Sequence, residues 1–132
     1  GRCLSQSNAI MLFVAQDSPL IPKDPYLKAR MNEWLFWEQY SHEPYIAVMR
    51  FQMKYLGKSV NELDPAKVER GIHALQFMEN ALTSPYLVAE QFSLADIALY
   101  AYTHMAGEGG FDLTTYANIQ NWLHRISRHL GL

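Results

Sequence analysis

The sequence predicts an all-α protein, a bundle of five or six helices without a β-sheet. Three observations favour this fold class. Apolar residues recur every three or four positions over most of the chain, strand-like alternation is nearly absent, and residues typical of helix ends flank the periodic stretches. The chain has 132 residues, the length of one domain, and its 49% hydrophobic residues supply a core without disulfides or a metal.

The first two helices are predicted at residues 7–16 and 24–56. Ser7 is expected to cap the first helix, because its hydroxyl can accept a hydrogen bond from a free backbone amide, and two prolines follow the end of that helix. Asp24 begins the second helix and is followed by proline, which is favoured at the first helical position. Pro44 has no amide hydrogen and crowds the preceding turn, so we expect a kink or break just before it.

Three more helices are predicted in the second half of the chain. One covers residues 64–83, is capped by Asp64 and is amphipathic throughout. The next starts at Ser93 and stops in the glycine-rich segment 107–110. The last carries an apolar stripe and is closed by Gly131. The stripe consists of Ile119, Trp122, Leu123, Ile126 and Leu130.

Charge and hydropathy exclude several classes of function. With 18% charged residues and a net charge of −2, the chain lacks the basic excess that binding to a phosphate backbone requires, so we expect no nucleic-acid partner. The longest apolar run, residues 9–15, is too short to cross a bilayer, and no cleavage pattern of a secretion signal follows it. We therefore expect no membrane association. The single Cys3 cannot form an internal disulfide, which favours a reducing, cytoplasmic location.

Ser93 and Asp96 have the spacing of a capping box. In this motif the serine hydroxyl accepts a hydrogen bond from the amide of the aspartate, and the carboxylate reaches back to the amide of the serine. Such a tetrapeptide also occurs at ordinary helix starts. Because apolar residues follow Asp96 directly, we expect its carboxylate to lie next to the core, where it must be hydrogen-bonded. On this basis Asp96→Ala is expected to lower the free energy of unfolding by about 1–3 kcal/mol.

The capping box is one of three motifs that occur in the same order in a known family. Phe92 and the sequence Ser-Leu-Ala-Asp-Ile-Ala at residues 93–98 match a hydrophobic staple and capping box. The sequence Leu-Ser-Gln-Ser-Asn-Ala-Ile at residues 4–10 is similar to a Glu/Gln-Ser-x-Ala-Ile segment. Residues 116–123 are similar to a Tyr/Phe-Pro-x-Ile-x-x-Trp-Leu stretch, with Ala117 in place of the proline. Through these motifs the chain resembles the C-terminal half of the cytosolic glutathione transferases.

The resemblance implies a division of the chain at residue 16. Residues 1–16 would be the remnant of a thioredoxin-like domain, with the exit of its last strand and the helix after it, and residues 17–132 an all-α domain of the glutathione transferase C-terminal type. The family's thiol-activating Tyr, Ser or Cys and its Val-Pro element have no counterpart here, and Cys3 is too isolated to replace them. Because the chain begins at Gly1 rather than Met, we expect it to be part of a longer polypeptide. We expect this part to contain no catalytic residue and to be inactive alone.

Gln6 and Ser7 are the residues that the resemblance implies for glutathione binding. In the family, the acid or amide and the serine of this segment hold the γ-glutamyl end of glutathione, the co-substrate. Independently of the family, a serine at a helix N-terminus lies beside free backbone amides at the positive end of the helix dipole, which suits a carboxylate. The alternative is that Ser7 only caps its own helix.

The resemblance also implies a pocket for a small electrophilic substrate, lined by the long second helix and by the helix of the capping box. The alternative is that these polar and aromatic side chains are half-buried in packing. Two pairs in the same regions, His42 with Glu43 and His104 with Glu108, suggest metal ligands, but no His-Glu-x-x-His pattern or cysteine cluster supports them, so we expect no metal. The candidate pocket residues are Trp37, Tyr40, Ser41, Tyr45, Tyr102 and His104.

Two functions remain open. The first is the helical domain of a glutathione transferase, which conjugates or reduces small electrophiles in detoxification and which, by the resemblance, works as a homodimer. The second is a non-catalytic interaction module of the same fold, such as those appended to translation factors and tRNA synthetases. Gln6, Ser7 and the aromatic residues around Tyr40 favour the enzyme, because a scaffold needs none of them.

Overall fold

The computed structural model describes residues 1–132 and consists of six α-helices. Apart from one isolated bridge between Val88 and Gln91 it has no β-structure, which confirms the predicted all-α fold. None of its helices is both long and apolar enough to cross a membrane. A π-helical segment, Glu38–His42, joins the second helix to the third, and 3₁₀ turns lie at Val60–Glu62 and Ala106–Gly109. The helices are α1 Ser7–Val14, α2 Pro25–Trp37, α3 Glu43–Lys54, α4 Pro65–Ala81, α5 Leu94–Thr103 and α6 Ala117–Leu130.

Three helix ends lie where the sequence predicts them. The Asp24 carboxylate accepts a hydrogen bond from the backbone N–H of Leu27 at 2.9 Å, and the Asp64 carboxylate accepts one from Ala66 at 3.0 Å. Both aspartates therefore cap helices that begin with proline. At the other end of the chain, Gly131 adopts a left-handed conformation with a φ of 72° and closes α6.

The start of α1 differs from the prediction. Ser7 is the first helical residue, and the capping position belongs to Gln6, whose φ of 72° is uncommon for a residue with a side chain. No side chain caps this helix, and Ser7 is exposed. The expectation that Ser7 caps α1 is therefore wrong, because the sharp turn at Gln6 brings Ser7 into the helix. The helix also ends earlier than predicted, at Val14.

The break before Pro44 is a π-helical segment rather than an interruption. Pro44 lies in the first turn of α3, where its missing amide hydrogen leaves a carbonyl of the preceding turn without a helical partner. Residues Glu38–His42 accommodate this by forming the wider π turn. Helical backbone therefore continues from α2 into α3, with the phase of its side chains shifted at this segment.

The core of the bundle surrounds α5, which is buried along nearly its whole length and packs against α2 and α6. Beyond its end, the 3₁₀ turn Ala106–Gly109 packs on α3. The approach is so close that a Cβ atom at Gly109 would lie 2.8 Å from the backbone nitrogen of Arg50. Glycine at this position therefore fixes the end of α5 against α3.

Asp96 joins three segments inside the core. Its Oδ1 atom accepts hydrogen bonds from the backbone N–H of Leu87 at 3.0 Å and from the indole of Trp122 at 2.9 Å. Its Oδ2 atom accepts from the Ser93 amide at 3.0 Å and the Ser93 hydroxyl at 3.1 Å, within the predicted capping box. Burial raises the pKa of this carboxyl, and the four hydrogen bonds oppose that shift. Asp96 therefore connects the capping box to the Trp122 motif of α6.

Candidate functional site

Asn8 ties the start of α1 to α2. Its side-chain amide donates hydrogen bonds to the Leu35 carbonyl at 2.9 Å and to the Glu38 carboxylate at 3.1 Å. Gln6 and Ser7, directly before it, are exposed. The Asn8 contacts therefore fix the two residues predicted to bind glutathione relative to the π-helical segment.

Glu38 is the buried carboxylate of this contact. It is 1% exposed, and its Oε1 atom has no hydrogen-bond partner. Burial raises its pKa, hydrogen bonds from Gln39 and Asn8 partly oppose this shift, and the nearby charge of Glu43 adds to it. Neither Asn8 nor Glu38 is among the site residues predicted from the sequence. They lie 30 residues apart, and no local pattern in the sequence marks two such residues as partners.

The first opening near these residues is a cavity of about 560 Å³ between the π-helical segment and α4, here called the α4 cavity. Two predicted pocket residues, Trp37 and Ser41, line it, and Trp37 packs on Phe77 with ring centroids 5.0 Å apart. Tyr45, also predicted, contacts the lining residue Arg70, whose guanidinium lies 3.4 Å from the tyrosine hydroxyl. The lining residues are Trp37, Ser41, Ala66, Glu69, Arg70, His73, Ala74 and Phe77.

The second opening is a groove of about 300 Å³ between α3 and α5, here called the Tyr102 groove. Burial raises the pKa of Tyr102, and the charges of Glu38 and Glu43 raise it further. Glu38, which accepts a hydrogen bond from Asn8, belongs to the π-helical segment that ends directly before the groove residue Glu43. The lining residues are Glu43, Ala47, Val48, Arg50, Phe51, Tyr55 and Tyr102.

Tyr40 and His104 line neither opening. Tyr40 is 82% exposed. His104 stacks on the ring of Tyr100 with centroids 4.6 Å apart, and its Nδ1 atom lies 2.6 Å from the Tyr100 carbonyl oxygen. The six predicted pocket residues are thus divided among the α4 cavity, the Tyr102 groove and the open surface.

In neither of the two His–Glu pairs considered as metal ligands does the histidine contact its glutamate. His42 is buried with its Nε2 atom 3.0 Å from the Thr103 hydroxyl, which itself donates to a backbone carbonyl at 2.7 Å. Nε2 therefore carries the proton, and the buried Nδ1 atom has no partner. Burial lowers the pKa of His42 to about 3, so the ring is neutral. Glu108 pairs with Arg50 at 2.6 Å and with Lys54 at 2.9 Å instead of with His104.

Comparison with known proteins assigns this arrangement of helices. The family model for the C-terminal domain of glutathione S-transferases matches residues 36–129, which include the capping box of α5 and the Trp122 motif. The chain belongs to the glutathione S-transferase family. The resemblance inferred from the three sequence motifs is thereby confirmed.

Several known proteins match more than nine tenths of this chain. A crystal structure of a glutathione S-transferase from Pseudomonas fluorescens is 50% identical and has a TM-score of 0.90. The match covers 95% of this chain and 64% of the transferase chain. The disulfide-bond oxidoreductase YfcG of Escherichia coli is 27% identical over 93% of this chain and 58% of its own length. Elongation factor 1-gamma of Artemia salina is 27% identical over 92% of this chain and 29% of its own length. The chain therefore spans less than two thirds of each of these relatives.

Proposed function

We propose that the chain forms the helical domain of a glutathione S-transferase, holding glutathione at Gln6 and Ser7 and lining the pocket for a small electrophilic substrate. The observation that carries this proposal is the contact between Asn8 and Glu38. It joins the exposed start of α1 to the π-helical segment, which is followed directly by Glu43 of the Tyr102 groove. Family membership supports glutathione as the co-substrate.

Gln6 and Ser7 offer groups that suit the γ-glutamyl end of glutathione. The first backbone amides of α1 have no side-chain cap and are free to donate hydrogen bonds. Together with the Ser7 hydroxyl they suit a carboxylate, and the positive end of the helix dipole adds to its attraction. The amide oxygen of Gln6 can accept from an ammonium group. In this proposal the chain supplies binding groups, and the group that activates the thiol lies outside residues 1–132.

The Tyr102 groove is the proposed site of the electrophile. Most of its lining is apolar, as a pocket for a small organic molecule requires. Trp37, Ser41 and Tyr45 face α4 instead, while Tyr40 and His104 are exposed. Among the six residues predicted for the electrophile pocket, we therefore assign Tyr102 to substrate contact.

We also propose a homodimer in a reducing, cytoplasmic compartment. Aromatic side chains on α2 and α4 are exposed, Phe36 to 78% and Phe77 to 51%, and a second subunit that covers them would remove apolar surface from water. The free, exposed Cys3 is compatible with a reducing compartment. The proposed reaction uses glutathione and requires no metal.

A non-catalytic interaction module is the alternative, and the comparisons do not favour it, because elongation factor 1-gamma is 27% identical and the Pseudomonas fluorescens glutathione S-transferase 50%. Such a module has no need for the Gln6–Ser7 segment or for a substrate groove. Glutathione binding therefore discriminates between the two functions.

Ser7→Ala is expected to weaken glutathione binding by the full gene product about tenfold or more. The reason is that a hydrogen bond to a charged group contributes about 1.5–3 kcal/mol. The dissociation constant is measured by titration calorimetry. Ser59→Ala is the matched control, because Ser59 also lies at the start of a helical segment and is exposed. Binding that is unaffected by Ser7→Ala would contradict the role of Ser7, and a complete absence of binding would favour the interaction module.

A further inference from the structure

One face of α6 carries only polar and basic side chains. Its members are three or four residues apart, so they lie in one row along the helix, beside the face that is buried in the core. These residues, here called the α6 basic face, alone line an opening of about 490 Å³ on the surface of the bundle. They are Asn121, His124, Arg125, Arg128 and His129.

The positive charge of the α6 basic face is not balanced by carboxylates. Neither Arg125 nor Arg128 forms an ion pair. Residues 113–132 contain no aspartate or glutamate, although the chain as a whole has a net charge of −2. The carboxylate of Glu79 contacts α6 at its other end, where it accepts a hydrogen bond from the Ile119 amide at 2.9 Å. An anion at the α6 basic face therefore meets two arginines that have no counter-charge.

Two side chains of this face are held in place by the segment before α5. Arg125 is half-buried and donates to the Pro85 carbonyl at 2.7 Å through Nη1, which leaves its other N–H groups for a ligand. His129 packs on Phe92 with ring centroids 4.0 Å apart. A side chain that is fixed in advance loses little freedom on binding. Basic residues in a last helical turn also suit the helix dipole, but Arg125 lies before the last turn, so the dipole does not explain its position.

The donors of this face suit phosphate groups. A guanidinium group presents a planar fork that matches phosphate oxygens, and side chains three residues apart on a helix are about 5–6 Å apart at Cβ. Arg125 and Arg128 can therefore each bind one of two linked phosphates, with His124 as a further donor. No apolar side chain lines the opening, so it lacks the anchor that a protein partner uses. Two arginines are also too few to follow a nucleic-acid backbone.

We propose that the α6 basic face binds a small molecule that carries a diphosphate group. Arg125 and Arg128 bind the two phosphates, and the remaining polar part of the opening accommodates the rest of the molecule. The site shares no lining residue with the α4 cavity or the Tyr102 groove, so it is independent of the proposed transferase function.

Inorganic pyrophosphate is the probe, and its dissociation constant for the full gene product is measured by titration calorimetry at constant ionic strength. Arg128→Gln is expected to raise this constant about tenfold or more, because charge-assisted hydrogen bonds are lost. Arg128 is exposed, so the fold does not depend on it. Arg125→Gln should weaken binding at least as much, and circular dichroism checks its fold because the bond to Pro85 is also lost. Arg70→Gln is the matched control, an exposed arginine on α4 whose loss should leave binding unchanged.

A comparison with inorganic phosphate tests the preference for a diphosphate. Pyrophosphate is expected to bind about ten times more tightly or better, because its second phosphate contacts the second guanidinium group. Equal affinities for the two anions would show an adventitious ion only and would overturn the inference. The absence of saturable binding would overturn it too, as would equal effects of Arg128→Gln and Arg70→Gln. Binding to phosphatidylglycerol vesicles without binding to pyrophosphate would reject a small-molecule site in favour of a membrane surface.

Discussion

Replacing Asp96 with alanine is expected to lower the free energy of unfolding by about 3–5 kcal/mol, more than the loss of a helix cap alone. The variant removes four hydrogen bonds at once and leaves the amides of Leu87 and Ser93 and the indole of Trp122 without their acceptor. Each buried donor that loses its partner costs about 1–3 kcal/mol. The change is measured by urea unfolding followed by circular dichroism.

The second capping box of the chain supplies the control. Glu62 accepts from the amide of Ser59 at 2.8 Å and from its hydroxyl at 2.7 Å, as Asp96 does with Ser93, but this box is exposed to solvent. Glu62→Ala should therefore have a much smaller effect, because water replaces the lost acceptor. Equal effects of the two variants would show that burial does not determine the contribution of Asp96.

Acid is expected to destabilise the fold through His42. The unfolded chain binds a proton on this ring near pH 6.5, whereas burial lowers the pKa in the folded state to about 3. Between these two pH values the unfolded state holds the extra proton, so stability falls as the pH falls, by up to about 4 kcal/mol. Above pH 6.5 the contribution of His42 is fully present.

The comparison of wild type with His42→Gln isolates this effect. Burial raises the pKa of Glu38 and of Asp96, so these groups make the fold relatively less stable as the pH rises, in the direction opposite to His42. We expect unfolding free energies measured from pH 7 to pH 4 to fall less steeply for His42→Gln than for wild type. His73→Gln, which changes an exposed histidine of α4, should keep the wild-type slope. Parallel curves for wild type and His42→Gln would contradict a neutral, buried His42.

The helices could be predicted because their signals are local. Asp24 and Asp64 cap the adjacent turn, Pro44 removes one hydrogen bond of its own helix, and Gly131 needs only its own left-handed conformation. The prediction that Ser7 caps α1 is wrong because it depends on the backbone conformation of the preceding residue. The sequence does not show that Gln6 adopts a positive φ and so starts the helix one residue earlier than a serine cap would.

Only part of the site could be predicted from the sequence, because the phase of the helix determines which side chains face a given opening. Trp37, Ser41 and Tyr45 are spaced by four residues, and the helical backbone continues through the π-helical segment, so all three face α4. Tyr40 lies between them in sequence and faces solvent. The sequence predicts a kink or break around residues 41–43, whereas the helical backbone continues there as a π turn. The Asn8–Glu38 contact depends on how α1 packs against α2, which no local pattern specifies.

Conjugation of glutathione to 1-chloro-2,4-dinitrobenzene, measured in parallel for residues 1–132 and for the full gene product, tests most directly whether these helices are one domain of a transferase. We expect turnover by the full gene product and none by residues 1–132, whose folded state is checked by circular dichroism. Turnover by residues 1–132 alone would contradict the assignment of the thiol-activating group to a part of the protein outside this chain.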